Sequence, residues 1–496
     1  MSKDKLFNRR SFLKTSGVLA LASTIPFLTT AARNENGITT LLSKDSKSLQ
    51  LKNTKMLLED QWDVIVVGGG PSGCAAAIAA AREGAKTLLI EGMGCLGGMG
   101  TSGLVPAWTP FSDGEKIVYR GIAEKVFNES KKGVPHEPKD KMDWVAINPE
   151  WLKLVYDRML AEAKVKVLFF SHLASVQMTN EHEVDAIIIA NKSGLTAYRA
   201  KVYVDCTGDG DLAAWAGATY TKGNAKGIAM PATHCFEIVN LTVNTKNIES
   251  FNSLYGGNKT SPIWEIVASG KYPAVKDAHL CINYIGPNAV GLNSGHLFEV
   301  ESTNPQSLSD AMSEGRELAN QLMAGLKEFR PSIFGDSFLI NTGQLMGIRE
   351  SRIIEGDYKL TLNDWMARAS FPDEIGRNKY FIDIHNSIEE IDKVLKEKNF
   401  ENNLGRPEPY RKGESHGIPY RCLTPKGLKN VLVAGRCIST EQIVQGSVRV
   451  QSACLVTGEA AGMAAAHAIT NHRNDVHLVD VDFLRKRLKE EGQYLK

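Results

Sequence analysis

None of the eight cysteines (residues 74, 95, 206, 235, 281, 422, 437 and 454) lies in a Cys-x-x-Cys pair. That excludes zinc-ribbon and thioredoxin-type motifs. The haem-attachment motif Cys-x-x-Cys-His is missing too, so any electron acceptor or donor is expected to be a separate or small molecule. No His-x-x-x-His and no carboxylate cluster points to a metal. Low-complexity tracts and internal repeats are absent. No basic stripe is visible at a formal net charge of +2, which argues against nucleic acid. No apolar run reaches the ~20 residues that a transmembrane helix needs. The scattered cysteines read as buried free thiols, with one disulfide left open after export.

What is present begins with Asn8-Arg9-Arg10-Ser11-Phe12-Leu13-Lys14, a twin-arginine motif. A modest apolar run (17–30, broken by Pro26) and the small residues Thr30-Ala31-Ala32 follow. Residues 1–33 therefore read as a Tat export signal, predicting a periplasmic protein. With no cysteine before Cys74, a stable membrane anchor is not expected. Residues 1–32 carry five basic side chains and one acid, so without them the net charge becomes about −2.

The most informative stretch runs from Asp63 to Glu91. An apolar strand (64–67) enters a turn with glycines at 68, 70 and 73, and an alanine-rich helix (74–82) follows. A second strand (87–90) delivers Glu91. This is the βαβ dinucleotide fingerprint. Gly68 permits the tight turn, Gly70 lets backbone approach a pyrophosphate, and Gly73 lets helix and strand pack closely. The helix N-terminus offers N–H groups and a positive dipole end to phosphate. Glu91 is placed to accept from a ribose diol. A glycine-rich surface turn would leave the alanine run and Glu91 unexplained.

Residues 34–60 read as a linker. A first nucleotide-binding part covers 61–220, with a helical excursion at about 106–160. Within it lie a glycine-dense segment (92–103), a helix at 149–163, strands at 165–170, 186–190 and 200–204, and a polar turn, Asp205-Cys-Thr-Gly-Asp-Gly-Asp211. From 221 to 424 short strands (233–239, 278–284) alternate with loops, and a helix spans about 309–329 with Ser307 and Asp310 as a loose capping box. A second helix-like region carries Gly347-Ile-Arg-Glu-Ser-Arg352. This block reads as an inserted substrate or cap domain. The nucleotide-binding pattern returns at 425–470, with a buried strand at 431–433 and a helix at about 450–468. Gly458, Ala461, Gly462 and Ala465 predict close packing of that helix on strand or cofactor. Residues 471–496 form a charged amphipathic tail. The fold class expected is α/β: a Rossmann-like domain, its parallel sheet extended by a β-meander, interrupted by an α+β substrate domain.

Five motifs carry a resemblance: Gly68-x-Gly70-x-x-Gly73 with Glu91; Leu96-Gly97-Gly98-x-x-Thr101; Asp205-x-Thr-Gly-Asp-Gly-Asp211; Gly347-Ile-Arg-Glu-Ser-Arg352 running to Asp357-Tyr358; and His416-Gly-Ile-Pro-Tyr-Arg421 running to Ser439. Over about 61–470 the chain resembles the FAD-dependent oxidoreductases of the glutathione-reductase-like flavoprotein superfamily, more narrowly a bacterial group within it. The resemblance implies FAD as cofactor. It places the pyrophosphate and ribose on Gly68, Gly70, Gly73 and Glu91, and Gly97, Gly98 and Thr101 beside pyrophosphate and flavin. Adenine meets backbone at Leu173. Gly208 and Asp209 close on FAD from the second half of the domain, and Gly435 and Arg436 sit near ribitol and ring. Many relatives have aspartate where this chain has Arg436, and a smaller, more apolar run at 442–445 than Gln442-Ile-Val-Gln445.

The chemistry implied is hydride exchange between flavin N5 and a small organic substrate: alcohol or sugar oxidation, or reduction of a double bond. A side chain must handle the accompanying proton. Arg349 and Arg352, three apart, read as helix neighbours able to clamp a carboxylate, or as a structural network with Glu350, Glu355 and Asp357. The pair leans towards an anionic substrate. His385 reads as a general acid/base or a core histidine. His416 is expected to face the flavin with Tyr420 as a second donor, and Arg449 to neutralise the ring or pair with an acid. His136, His172, His182, His467, His472 and His477 read as surface residues. A non-redox flavoprotein, a lyase or isomerase using FAD structurally, is the alternative; a nicotinamide enzyme using only the first βαβ unit is disfavoured by the later turns.

Overall fold

The computed structural model describes residues 55–224, 226–242, 253–385, 410–471 and 473–496. The export-signal reading at 1–33, most of the linker and His472 lie outside these residues. Strand β1 (Leu57–Val67) starts inside the expected linker. Its last four residues are buried on both faces, as a central parallel strand requires. Helix α1 (Pro71–Arg82) follows, with Pro71 at its first turn, and then β2 (Thr87–Ile90), parallel to β1.

An excursion with α2 (Ile122–Ser130) and α3 (Pro149–Glu162) leads to β3 (Lys166–Leu168), parallel to β2. The meander comes next: β4 (His172–Asn180), β5 (Glu183–Asn191) and β6 (Gly194–Asp205). β6 returns to pair in parallel with β1, bringing Asp205 level with Val67. The sheet order is β3-β2-β1-β6-β5-β4.

A short strand β7 (Tyr220–Lys222) precedes a second sheet. That sheet is antiparallel, made of β8 (Phe236–Val239), β9 (Leu280–Gly286), β10 (Ala289–Ser294) and β11 (Phe338–Thr342), in the order β11-β8-β10-β9. β9 and β10 are joined through Pro287-Asn288, with Asn288 at φ 53°, a position Asn tolerates better than most residues. Helix α4 (Pro305–Phe329) covers this sheet. Its cap is Asn304, whose side chain accepts from the N–H groups of Gln306 and Ser307; the expected Ser307 box does not form, because Ser307 Oγ is taken by Glu301 N–H.

The second sheet has its own core, drawn from Ala232 to Met346. From Ile354 onward the chain joins the first core again, including Trp365, Tyr380 and Ile418. The block 221–424 is thus not one packing unit: its last third belongs with the nucleotide-binding half. There, β12 (Arg352–Ile354) pairs with β7, and β13 (Glu374–Asn378) pairs with β14 (His416–Pro419). The Gly347–Arg352 segment is extended rather than helical. Long-range pairing decides it: Gly347 bridges Thr233, and Arg352 sits opposite Lys222.

β15 (Val431–Val433) completes the main sheet, parallel to the C-terminal half of β6. Helix α5 (Gln451–Asn471) then packs mainly on α1, touches β6 and β13 as well, and brings Gln451 and Cys454 to a cavity wall. A Cβ at Gly462 would lie 1.9 Å from the carbonyl oxygen of Ala76, so only glycine allows that approach. Helix α6 (Val481–Glu490) buries Leu484 and Leu488 in the first core, so the expected tail is docked structure. All eight cysteines are free. Among the described residues no helix is long and apolar enough to cross a membrane.

Candidate functional site

The carboxyl ends of β1, β6 and β15 lie side by side, and ligands of open α/β sheets bind at such an edge. The turn after β1 uses Gly68 at φ 97°, where a Cβ would come 2.4 Å from the carbonyl oxygen of Cys206. The α1 N-terminus has no side-chain cap and no acid in its first turn, leaving its positive end for an anion. Glu91 is held at the end of β2 by the backbone N–H groups of Gly69 (2.5 Å) and Met93 (2.7 Å). The turn after β6 is organised by the buried Asp205, which accepts from Thr207 N–H (3.0 Å), Thr207 Oγ1 (2.8 Å) and Ala213 N–H (2.9 Å). Burial raises its carboxyl to about 6, against those hydrogen bonds.

A cavity of about 1120 Å³ opens from this edge and continues to the second sheet. Gly68, Gly70, Glu91 and Gly98 line one end, with Leu173 beside them. Gly208, Asp209 and Arg436 line its middle. The other expected cofactor residues stand behind the wall. Gly73 packs against Gly68, Gly97 N–H donates to Gly69 O (2.8 Å), Thr101 Oγ1 donates to Leu96 O (2.6 Å), and Gly435 lies against Ser72. Leu173 belongs to β4, one strand later than expected. Arg436 is bound to Asp209 (2.8 Å).

At the far end stand Arg349, Arg449, Asp383 and His385. Arg349 donates to Pro231 O (2.8 Å), Thr233 Oγ1 (2.6 Å) and Asn293 Oδ1 (3.3 Å). Burial, with Arg449 nearby, lowers its guanidinium to about 10, so it stays charged at neutral pH. Arg449 donates to Asp383 Oδ2 (3.1 Å). Burial opposes ionisation of Asp383, but His385, Arg449 and Arg349 together hold its carboxyl far below the usual range. Burial and Arg349 keep the His385 ring neutral. Arg352 is not part of this group. It donates to Asp211 (2.7 Å) and to the Asp209 carbonyl (3.0 Å), so the expected arginine pair is split between the two faces of an extended segment.

His416 does not face the cavity. It is buried in β14, shares a hydrogen bond between Nδ1 and the Tyr410 hydroxyl (2.5 Å), and is lowered to about 3 by burial and by Arg377 and Arg368. Tyr420 is spent on Val476 O (2.7 Å). One histidine read as a surface residue is not: His467 is buried against Glu83 (3.0 Å). His172 is exposed, as expected, and also lines the cavity.

Sequence reasoning missed His279 and His296, which converge with His385 in the cavity although no spacing pattern joins them. The His279 and His296 rings stack with centroids 4.1 Å apart. Asp277 hydrogen-bonds His296 Nδ1, and burial lowers the ring below its ordinary range despite this partner.

A nucleotide cradle and a charged, histidine-rich end share one cavity in an α/β fold, the arrangement of a dinucleotide-dependent enzyme. The chain belongs to the FAD dependent oxidoreductase family, whose model matches residues 63–488. It is an oxidoreductase and FAD is its cofactor. Its residues fit that group. Arg436, Arg449 and Gln451 line the cavity, and each carries a buried polar atom (Nε, Nε and Oε1) with no protein partner. The volume exceeds what a drug-sized ligand needs.

Similar sequences include a fumarate reductase (cytochrome) of Shewanella frigidimarina, 34% identical over 101 residues covering 17% of each chain. A digeranylgeranylglycerophospholipid reductase of Methanocaldococcus jannaschii is 26% identical over 213 residues, covering 41% of this chain and 51% of its own. The glutathione reductase of Yarrowia lipolytica is 30% identical over 159 residues, covering 30% and 32%. The chain thus matches about half or less of the length of these relatives. A geranylgeranyl bacteriochlorophyll reductase-like structure from Thermoplasma acidophilum aligns with 88% of this chain and 93% of its own, at 13% identity and a TM-score of 0.43.

Proposed function

We propose that the protein oxidises or reduces a small anionic organic substrate by hydride exchange with FAD. The observation that carries this reading is the single cavity joining the Gly68–Gly70 cradle to Arg349. FAD, when bound, supplies the two-electron chemistry. Arg349 presents a fixed, buried positive charge, suited to a carboxylate or to charge developing on oxygen. Its hydrogen-bond acceptors are all neutral, so no carboxylate is bound to it directly, and Asp383 acts on it only through space. The proton that accompanies hydride is handled within the cluster of imidazoles and carboxylates at the same end.

The test is anaerobic photoreduction of the purified flavoprotein, followed by a screen of carboxylate and neutral donors and acceptors. Carboxylates are expected to reduce or reoxidise the flavin faster than neutral analogues of the same size. A flavin that no candidate reduces or reoxidises would favour the non-redox reading, and turnover of neutral sugars alone would remove the anionic class.

The reading also places the enzyme outside the cytoplasm, supported by Asn8-Arg9-Arg10-Ser11-Phe12-Leu13-Lys14. Tat carries folded proteins, which suits a chain that must take up its cofactor before export. Changing Arg9 and Arg10 together to lysine is expected to leave FAD-loaded protein in the cytoplasm. Unchanged periplasmic yield from that variant would reject export by this route.

A further inference from the structure

We propose that His279, His296 and His385 form a binding site for a divalent transition-metal ion at the substrate end of the cavity. One ligand nitrogen from each ring lies within 4.8 Å of the others. The rings come from separate segments: His279 precedes β9, His296 follows β10, and His385 lies beyond β13.

Hydrogen-bond accounting carries the inference. His296 Nδ1 contacts Asp277, and a carboxylate can only accept, so that nitrogen carries the proton and Nε2 keeps its lone pair. His385 Nε2 faces Asp383 Oδ1 at 3.4 Å, and Asp383 is also ion-paired with Arg449 (3.1 Å). Its proton therefore belongs on Nε2, and Nδ1 keeps its lone pair. These two bare nitrogens, His296 Nε2 and His385 Nδ1, face each other at 2.8 Å. Two acceptors at that distance repel unless a cation lies with them.

A single shared proton would satisfy the pair but gives the third ring no task. His279 stacks on His296 and meets His385 edge-on at 5.3 Å. Its Nε2 contacts Cys281 Sγ (3.7 Å), and its Nδ1 is buried with no partner. A metal ion uses all three. It also explains the carboxylates, since metal-bound histidines characteristically donate their other N–H to a carboxylate that fixes the ring. Nitrogen ligands bond such ions at about 2.0–2.1 Å. Two on one tetrahedral ion are then roughly 3.4 Å apart, so His296 and His385 need to separate by about half an ångström.

Three imidazoles suit iron, nickel, copper or zinc rather than calcium or magnesium. Three protein ligands also leave a coordination position open, the pattern of catalytic rather than structural sites. The charges around the cluster balance, Asp277 and Asp383 against Arg349 and Arg449, so the ion's own charge remains for an oxygen of substrate or water. The inference does not depend on the substrate class proposed above.

The test uses the FAD-loaded enzyme, stripped of metal with a chelator and titrated with Co2+. One Co2+ per chain is expected, with absorption appearing beyond the flavin band and displaced by Zn2+. His296→Ala is expected to lose at least 100-fold in Co2+ affinity, and Asp277→Asn 10- to 100-fold, both with wild-type FAD content. Asp277→Asn keeps the side chain's shape and so serves if His296→Ala does not fold. Wild-type enzyme that binds no Co2+, or variants that bind it equally well, would overturn the site and leave the shared proton. Flavin reduction by substrate is scored separately, so failure here is distinct from failure of the redox reading.

Discussion

At Gly70 an added Cβ would meet no protein atom within 4 Å, and the residue lines the cavity. Gly73, three residues on, is the opposite case, since a Cβ there would lie 1.7 Å from the carbonyl oxygen of Gly68. The two glycines therefore fail differently when substituted. Gly70→Val is expected to fold with wild-type circular dichroism but to purify colourless, because its side chain occupies the pyrophosphate's place. Yellow Gly70→Val protein would remove the pyrophosphate from this cradle. Gly73→Val is expected to give little soluble protein. Arg349 separates binding from folding in another way. Arg349→Met keeps much of the volume and removes the charge, leaving Thr233 Oγ1 without its charged donor. Loss of kcat/KM for anionic substrates is expected at about 10²-fold, with FAD retained and neutral substrates little affected. An equal loss for both kinds of substrate would reduce Arg349 to a structural role.

Helix α5 connects to α2 through one buried carboxyl. Glu459 accepts from Ile122 N–H (2.9 Å), at the start of α2, and from Gln493 Nε2 (2.7 Å) near the C-terminus. Burial raises it from its ordinary 4.5 to about 7, against those two hydrogen bonds. The sign follows from proton binding: between about 4.5 and 7 the folded state holds the proton more tightly than the unfolded state, so stability falls as pH rises through that window. The contribution is about 3 kcal/mol over the full range. Glu459→Gln cannot titrate. Denaturant melts at pH 5 and pH 8 are expected to show the variant gaining on wild type by roughly that amount, and parallel pH profiles would refute the assignment.

What was legible at this scale was local. The β1–α1–β2 unit was readable because strand, turn glycines, alanine run and Glu91 are contiguous and each has a geometric reason. α5 was readable as a helix, yet its partner α1 was not, since small residues announce close approach without saying to what. Arg349 and Arg352 misled because a spacing of three fits a helix face, whereas pairing with Thr233 and Lys222, over 100 residues away, makes the segment extended. The histidine cluster was invisible for the same reason: its geometry is created by the second sheet and the segment after β13, not by any motif.

The whole molecule places this cavity between two hydrophobic cores. Gly68, Arg436 and Arg449 reach it from the first, Met346 and His296 from the second sheet's side. A ligand filling that cavity contacts both parts and so adds to their coupling as well as to the stability of either. A ligand that binds only the folded state stabilises it by about 2.7 kcal/mol at a free concentration 100 times its Kd. FAD-stripped enzyme is therefore expected to unfold at a temperature lower by several degrees. Adding FAD should restore the melting point in a concentration-dependent way, and Gly70→Val should show no such response. The coupling makes a further, separable demand. Without FAD, intrinsic tryptophan fluorescence and far-ultraviolet circular dichroism should report different midpoints, because the two cores unfold less cooperatively; with FAD the midpoints should coincide. Coincident midpoints in both forms would mean that contacts between the cores, rather than the ligand, hold the halves together, and the cavity would then be a pocket within one cooperative unit.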